Sequence, residues 1–159
     1  MTRSLTLMPT SPRQRGGAVV EFALMLTLLI SIVAGVVEFG RTFWYYDALS
    51  KATRNAARAV SVSNPASLAS VAVGAAKSAV NAAAASAGVP AFGSTNVSVA
   101  CLDVNMATIT CTDGVAPAGV RVAIVGYSVF LGSSIPFLVG ATRTYTINLA
   151  PATTMAYMR

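Results

Sequence analysis

The chain opens with one long apolar run whose composition predicts a membrane-spanning helix. Residues 18–37 are apolar or small apart from Glu21, Thr27 and Ser31. An α-helix needs about 20 such residues to cross the hydrocarbon core of a bilayer. A cluster of aromatic residues follows at positions 39–46, as in the aromatic belt of membrane proteins, where rings lie at the level of the lipid headgroups. We therefore expect a transmembrane helix; a buried core helix is the alternative interpretation of this run.

The same helix is expected to continue beyond the membrane as a stalk. Residues 41–62 contain no glycine or proline and are rich in residues with high helix propensity. Apolar side chains recur there at intervals of three or four residues, which predicts one buried face: Leu49, Ala52, Ala56 and Ala59. The predicted helix therefore runs from residue 18 to residue 62, with its first half in the membrane and its second half outside.

A second helix is predicted over residues 65–86. Asn64 stands directly before Pro65, which is the usual order of a cap residue and a first helical position. Gly88 and Pro90 end the segment. Its apolar and small residues form a stripe that is expected to lie along the stalk: Leu68, Val71, Ala72, Ala75, Ala79 and Ala83. A flexible alanine-rich linker is the alternative.

The hydrophobic period changes to two after this helix, which predicts strands. The alternating apolar positions fall into four groups: Val97, Val99 and Cys101; Ile109 and Cys111; Val120, Val122 and Ile124; Tyr145, Ile147 and Leu149. We expect an antiparallel sheet of about four strands with one face on the stalk. The predicted fold class is therefore α+β, with a long N-terminal transmembrane and stalk helix, a second helix and a small antiparallel sheet.

An apolar loop over residues 131–141 joins the last two long predicted strands. Two interpretations stay open for its large apolar side chains, Ile135, Phe137 and Leu138. They either pack in the core or dock on a neighbouring subunit or on lipid.

Charge and composition narrow the class of function. Only 10% of the residues are charged, against about 25% in a typical soluble domain, which indicates a membrane or an assembly. The net charge is +6, but the basic residues are spread along the chain, so we do not expect nucleic-acid binding. The chain has no histidine and only five acidic residues, which leaves few groups for the usual general bases and metal ligands. We therefore expect no enzyme, and no site for a metal, a cofactor or a small-molecule substrate.

The two cysteines and two nearby aspartates are the remaining candidates for chemistry. Cys101 and Cys111 flank the turn-like sequence DVNMA, so a disulfide across a hairpin is expected in an oxidising compartment. Zinc would need more sulfur or imidazole ligands than the chain offers. Asp103 and Asp113 could be interpreted as paired catalytic carboxylates, but ordinary turn residues are the preferred interpretation, because aspartate readily bonds to its own backbone.

The sequence around Glu21 is the most specific motif in the chain. Residues 16–22 read GGAVVEF and follow a basic segment. With EFGR at 38–41 and AAR at 56–58, this motif is similar to the TadE-like family of the tight-adherence, Flp-type pilus system. It also resembles the N-terminus of type IV pilin-like proteins. The resemblance is dense over residues 13–62.

The resemblance implies a processing site and a role for Glu21. In pilin-like proteins a prepilin peptidase cuts after a glycine, here between Gly16 and Gly17. Glu21 then becomes the fifth residue of the mature chain, and Phe22 the aromatic sixth. The new amine of one subunit meets the glutamate of its neighbour as the helices stack, so Glu21 sets the register of assembly. The alternative for Glu21 is a residue at headgroup level without a function.

The expected function is structural. The resemblance implies a pilin-like subunit, a minor pilin or pseudopilin, in the assembly of a tight-adherence type IV pilus or of related secretion machinery. Its expected partners are prepilin peptidase, the membrane and other pilin-like subunits, which it meets through the N-terminal helix. The expected domains are a cleaved basic leader at 1–16, the transmembrane and stalk helix at 17–62 and an extracytoplasmic α+β domain at 63–159.

The expected location is the inner membrane, with a single span and possible later entry into an extracellular pilus. Arg3, Arg13 and Arg15 precede the span, so the positive-inside rule predicts a cytoplasmic N-terminus and a periplasmic C-terminal domain. Glu38, near Arg41 at the far end of the span, is expected to form only a local ion pair.

A signal-anchored periplasmic binding protein that acts alone is the alternative function. The apolar run is longer than the run of about 7–15 residues in a cleaved secretory signal, and residues 33–35 are only a weak cleavage site. The two hypotheses differ at the mature N-terminus, which is Gly17 for the pilin-like subunit and Met1 or Thr2 for the binding protein.

Overall fold

The computed structural model describes residues 15–131 and 145–158 of the 159-residue chain. The chain divides into two compact units between Val36 and Val37. Helix α1, Arg15–Ser61, contributes to both units. Its predicted extent, from residue 18 to residue 62, is confirmed.

The part of α1 in the second unit is amphipathic, as its spacing predicts, but Ala59, which was expected on the buried face, is exposed. Its most buried apolar side chains lie on one face: Leu49, Ala52, Ala56, Ala57 and Val60. Arg54 and Arg58 remain exposed. This face is one wall of the hydrophobic core.

The segment 65–86 is helical, but its first two turns are not α-helical. Pro65–Ser67 form a 3₁₀ turn, Leu68–Ala72 form a π-helical turn, and helix α2 proper spans Val73–Ser86. The predicted cap is confirmed, because the Asn64 side chain accepts a hydrogen bond from the Ala66 amide at 2.9 Å.

The buried face of α2 is not the predicted stripe. Ala76, Val80 and Ala84 are buried, because α2 packs against the sheet. Ala75 and Ala79 instead line an open groove of about 510 Å³, whose other wall is formed by α1. The predicted stripe therefore lies along α1 as expected, but Leu68 is its one fully buried member. The stripe faces α1 across a groove.

The described residues of the second unit also form six strands: β1 Val97–Leu102, β2 Thr108–Ile109, β3 Gly119–Ile124, β4 Ser128–Leu131, β5 Tyr145–Asn148 and β6 Ala152–Ala156. Four of them form an antiparallel sheet in the order β2-β1-β3-β6. Strands β4 and β5 form a separate antiparallel ribbon. The predicted α+β class, with a long apolar helix, a second helix and a small antiparallel sheet, is confirmed.

The position of the last strands differs from the prediction. The segment 145–149 was expected in the main sheet, but β5 pairs with β4, in the register Val129↔Ile147. The place beside β3 is taken by β6, a polar strand with the weak alternation ATTMA. Ile135, Phe137 and Leu138, for which docking was considered, lie outside the described residues.

The core lies between the helices and one face of the main sheet. The sheet contributes a set of fully or almost fully buried side chains: Val97, Cys101, Val120, Val122 and Ile124. Leu68 and Val80 meet them from the helical side, each with no exposed surface.

Candidate processing and assembly segment

Gly16 and Gly17 lie in the first turn of α1, which begins at Arg15. Both glycines are exposed. A Cβ atom added to either one would meet no atom within 4 Å. Packing within the described part of the chain therefore does not require glycine at these two positions.

Glu21 lies one turn after Gly17 and on the same side of the helix, because residues four apart share a helical face. Glu21 and Phe22 are both exposed, Phe22 to 67%. Residues 18–37 contain no other ionisable side chain. Insertion scales give a cost of about 2.5–3.5 kcal/mol for a charge at the centre of a membrane helix, and less near the interface.

The other two polar side chains of the apolar run are satisfied within the helix itself. The Thr27 hydroxyl donates to the Ala23 carbonyl oxygen at 2.8 Å, and the Ser31 hydroxyl donates to the Thr27 carbonyl oxygen at 2.7 Å. Serine and threonine can bond back to the preceding turn in this way, whereas an ionised carboxylate can only accept. Glu21 is thus the one side chain of this segment whose polarity the helix cannot satisfy.

Segments Gly16–Ser61 and Pro65–Ser86 both have the length and composition of a membrane-spanning helix. In the second segment, Leu68 and Val80 are fully buried in the protein core, which identifies it as a core helix. The apolar window of the first segment has none of its residues buried inside the protein. The N-terminal apolar helix therefore indicates membrane anchoring.

Glu38 and Arg41 form the predicted local ion pair at the end of the apolar run. Arg41 Nη2 donates to Glu38 Oε2 at 2.9 Å, so this expectation is confirmed. The Glu38 side chain is only 6% exposed, against 40% for Arg41. The pair is more buried than a surface pair at this spacing, which the sequence did not indicate.

Cys101 and Cys111 are joined by a disulfide in the structure, with a Cα–Cα distance of 5.1 Å. Cys101 is fully buried in β1, opposite Ile109. Cys111 lies two residues beyond the end of β2, so the bond connects β1 to the segment that leaves the hairpin rather than to its paired strand. Closing a loop of this length stabilises a fold by about 2–3 kcal/mol in the chain-entropy model.

Asp103 is a turn residue, as expected. Its carboxylate accepts hydrogen bonds from the amides of Asn105 at 2.9 Å and Ala107 at 2.8 Å, within the turn that joins β1 to β2. These bonds within its own turn favour the structural interpretation of this carboxylate.

Asp113 has a distant partner that sequence reasoning missed. Its carboxylate accepts hydrogen bonds from the amides of Ala69 at 2.6 Å and Ser70 at 3.2 Å, at the start of the second helical segment. Hydrogen bonds from the side chain and the amide of Ser70, with a smaller contribution from the Ala69 amide, lower the pKa of Asp113 below its ordinary value, against an opposing effect of desolvation. Two exposed amides without carbonyl partners at a helix start are the only signal that could have suggested this contact.

A comparison with protein families identifies the N-terminal segment. The model of the TadE family, described as TadE-like protein, matches residues 16–58. This segment is TadE-like. The matched range begins at Gly16 and includes the anchoring helix, the Glu38–Arg41 pair and most of the amphipathic half of α1. The match agrees with the resemblance seen in the sequence.

The TadE-like segment covers about a quarter of the chain. No curated protein and no solved structure matches the chain. The α2 helix and the two sheets are therefore described by their own structure rather than by that of a relative.

Proposed function

We propose that this protein is a structural, non-catalytic subunit of a tight-adherence pilus or of related secretion machinery, a minor pilin or pseudopilin. It is inserted by α1, trimmed between Gly16 and Gly17, and packed beside the N-terminal helices of other subunits. The observation that carries the proposal is the TadE-like match from residue 16 onward.

The two glycines support processing by prepilin peptidase. Neither is needed for packing within the described residues, so the fold gives no reason for glycine at Gly16. A peptidase that reads a small residue at the cleavage position supplies that reason. Cleavage would remove the basic residues Arg13 and Arg15 and leave a free amine on Gly17.

The charge of Glu21 supports assembly through the N-terminal helix. The cost of a carboxylate in the apolar run falls when an ammonium lies close to it in a medium of low dielectric constant. The mature N-terminus of an adjacent subunit would provide that ammonium. Glu21 would then favour one axial register between neighbouring helices over the others.

The disulfide supports an extracytoplasmic position for the second unit. Disulfides form and persist in oxidising compartments, including the bacterial periplasm. With the second unit outside, the N-terminal residues are cytoplasmic and the protein is a single-pass inner-membrane protein before assembly. A signal-anchored protein that acts alone would share this topology but would keep residues 1–16.

Two variants of the full-length chain test the proposal, one at the cleavage step and one at the assembly step. We expect Gly16→Ala to remain uncut, because the peptidase acts at this residue. We expect Glu21→Gln to be inserted and cut, because it removes a charge from the apolar run and lies five residues beyond the site, but to co-purify poorly with its partner subunits. N-terminal sequencing reports cleavage, and co-purification with piliation reports assembly.

A matched control is Thr27→Val, which removes a polar group from the same helix without changing charge. It should be cut and assembled normally, because the hydroxyl bonds only within its own helix. Normal assembly of Glu21→Gln would mean that Glu21 is only a tolerated residue at the interface. A mature N-terminus at Met1 or Thr2 in the wild-type protein would favour the signal-anchored alternative.

A further inference from the structure

The first turns of α1 beyond the apolar run define the membrane-proximal end of the second unit. The run ends at Val37. At about 1.5 Å per residue, Arg41 lies about 6 Å and Tyr45 about 12 Å further along the helix. The headgroup layer extends about 5–8 Å beyond the hydrocarbon core, so Arg41 lies within this layer and Tyr45 just beyond it.

Two loops pack beside these turns. Arg41 and Tyr45 line a pocket of about 330 Å³, together with Pro90 from the loop after α2 and residues 127–130 from the turn and strand β4. The Trp44 indole Nε1 donates to the Ala87 carbonyl oxygen at 3.3 Å. The loop after α2 and the start of β4 are therefore held next to α1 where it leaves the apolar run.

Tyr127 ties these two loops together. Its hydroxyl donates to the Pro90 carbonyl oxygen at 2.7 Å, and its ring meets Phe92 edge to face at a centroid distance of 5.2 Å. Burial, with a smaller contribution from the neighbouring Tyr45, raises the pKa of Tyr127 above its ordinary value. The two loops at this end of the unit are therefore held together by specific contacts of Tyr127.

The turn between β1 and β2 lies at the opposite end of the unit. Strand β3 runs from Gly119, which pairs with Leu102 just before that turn, to Ile124, three residues before Tyr127. A strand of this length separates its ends by about 17 Å at about 3.4 Å per residue. The end of α1 lies with the turn, because Ser61 accepts a hydrogen bond from the Met158 amide at 2.9 Å, beyond the distal end of the sheet.

The two loops at the membrane-proximal end carry no charge, and Arg41 of α1 is the charged side chain in the pocket beside them. Residues 87–96 and 125–131 contain no acidic or basic side chain. Large apolar side chains are nevertheless exposed there, including Val125 at 45% and Phe130 at 54%. On α1, Trp44 is 62% exposed at the same end.

We propose that this end of the second unit docks on the lipid surface, with Phe130 of β4 and Val125 of the preceding turn in the headgroup layer. Aromatic and apolar side chains suit the boundary between headgroups and acyl chains, and a cation such as Arg41 beside them suits the phosphate level. Lipid is the occupant that the geometry favours, because Phe130 shares a pocket with Arg41 and Tyr45, which lie within about two turns of the end of the apolar run. The proposal rests on membrane anchoring and goes beyond the role in pilus assembly.

Tryptophan fluorescence tests the contact directly, because Trp44 is the only tryptophan in the chain. In a Trp44→Phe background, Phe130→Trp and, separately, Val125→Trp place one reporter on the proposed surface. The full-length protein is reconstituted in nanodiscs of phosphatidylethanolamine and phosphatidylglycerol. The quenchers are phospholipids brominated near the top of the acyl chain, and acrylamide in the water.

The matched control is Val104→Trp in the same background, because Val104 is 86% exposed in the distal turn. We expect brominated lipid to quench the Phe130→Trp and Val125→Trp proteins at least about twofold more strongly than the Val104→Trp protein, with the order reversed for acrylamide. Wild-type Trp44 serves as the reference for headgroup depth.

Two results would overturn the proposal. Equal quenching at positions 104, 125 and 130 would mean that this end stands in water. Protection from acrylamide without quenching by brominated lipid would mean that protein, such as a second copy, covers the surface. No other pilus component is present in the nanodiscs, so either result leaves the proposed role in assembly untouched.

Discussion

At the scale of single residues, most acidic side chains of this protein form hydrogen bonds or ion pairs within the folded chain. Glu38 pairs with Arg41, Asp103 accepts amides of its own turn, and Asp113 accepts amides at the start of a helix. Glu21 differs, because it is exposed in an apolar helix. This contrast is the residue-level reason to assign Glu21 a role between molecules.

The two ion pairs on α1 are expected to differ in their contribution to stability. We expect Arg41→Gln to lower the free energy of unfolding by about 1–3 kcal/mol, because it leaves the Glu38 carboxylate buried with a weaker partner. This is less than for a fully buried pair, since Arg41 is 40% exposed. Lys51→Gln removes the exposed pair with Asp47 and should cost at most about 0.5 kcal/mol. Unfolding by urea in detergent micelles measures both; equal effects would contradict the role of burial.

Asp113 is expected to make stability depend on pH in the acid range. Its pKa in the folded protein lies below the ordinary value of 3.8, so the unfolded chain binds more protons between the two values. Its contribution is therefore fully present above pH 3.8 and is lost as the pH falls through the folded pKa. We expect Asp113→Asn to be less stable than wild type at neutral pH, and the difference to shrink on acidification.

Ser70→Ala is the matched variant for this test, because the Ser70 side chain makes the largest contribution to the lowered pKa. It should reduce the pH-dependent difference without abolishing it. Thermal unfolding midpoints measured at a series of pH values report the effect. A difference between wild type and Asp113→Asn that stays constant with pH would show that the carboxylate acts only through its shape.

At the scale of elements, the sequence predicts helix α2 correctly but does not predict which of its faces packs against the sheet. Alanine is abundant on every side of the segment, so its hydrophobic pattern is nearly uniform and several faces compete. The packed face is decided by β1 and by the position of Leu68, which is fully buried. Ala75 and Ala79 of the predicted stripe line the groove opposite α1.

Two alanine substitutions on α2 distinguish these faces. Ala84 is 1% exposed and packs in the core, so Ala84→Leu should destabilise the fold by about 1–3 kcal/mol through overpacking. Ala79 lines the open groove, where a larger side chain has space. Ala79→Leu should therefore change the free energy of unfolding by no more than about 0.5 kcal/mol. Both replacements keep high helix propensity. Urea unfolding measures the difference, and a larger loss for Ala79→Leu would mean that the groove closes in solution.

At the scale of the whole molecule, orientation in the membrane links the anchor to the disulfide. Arg3, Arg13 and Arg15 precede the apolar run, and Arg41, Lys51 and Arg54 follow it. The positive-inside rule counts basic residues on both sides of a span, and three against three gives neither side an advantage. The disulfide between Cys101 and Cys111 therefore carries the argument for an extracytoplasmic second unit, because it needs an oxidising compartment.

A topology reporter tests this orientation. We expect alkaline phosphatase fused after Arg159 to be active, because the proposed orientation puts the C-terminal unit outside the cytoplasm. Since basic residues are balanced across the span, Arg13→Ala with Arg15→Ala should lower this activity and give a mixture of topologies. An inactive phosphatase fusion, with a fluorescent cytoplasmic reporter at the same position, would reverse the orientation and remove the compartment that the disulfide requires.

The sequence by itself determined the features that depend on local order along the chain. These are the apolar helix, its amphipathic continuation, the Asn64 cap and the strands with clear alternation. The resemblance at the N-terminus was equally readable, because Gly16, Gly17, Glu21 and Phe22 form one continuous motif. The roles of these residues depend on other molecules, so the structure of one chain leaves them as proposals.

The tertiary structure alone decided which elements meet. Strand β6 has little apolar alternation, so its sequence does not predict that it pairs with β3. The alternation of β5 predicts a strand but does not indicate that its partner is β4. The bond from Asp113 to the start of the second helical segment spans more than 40 residues, and the burial of Glu38 arises only after folding. Such contacts depend on how distant surfaces fit together, and hydrophobic periodicity along one segment contains no information about its partner.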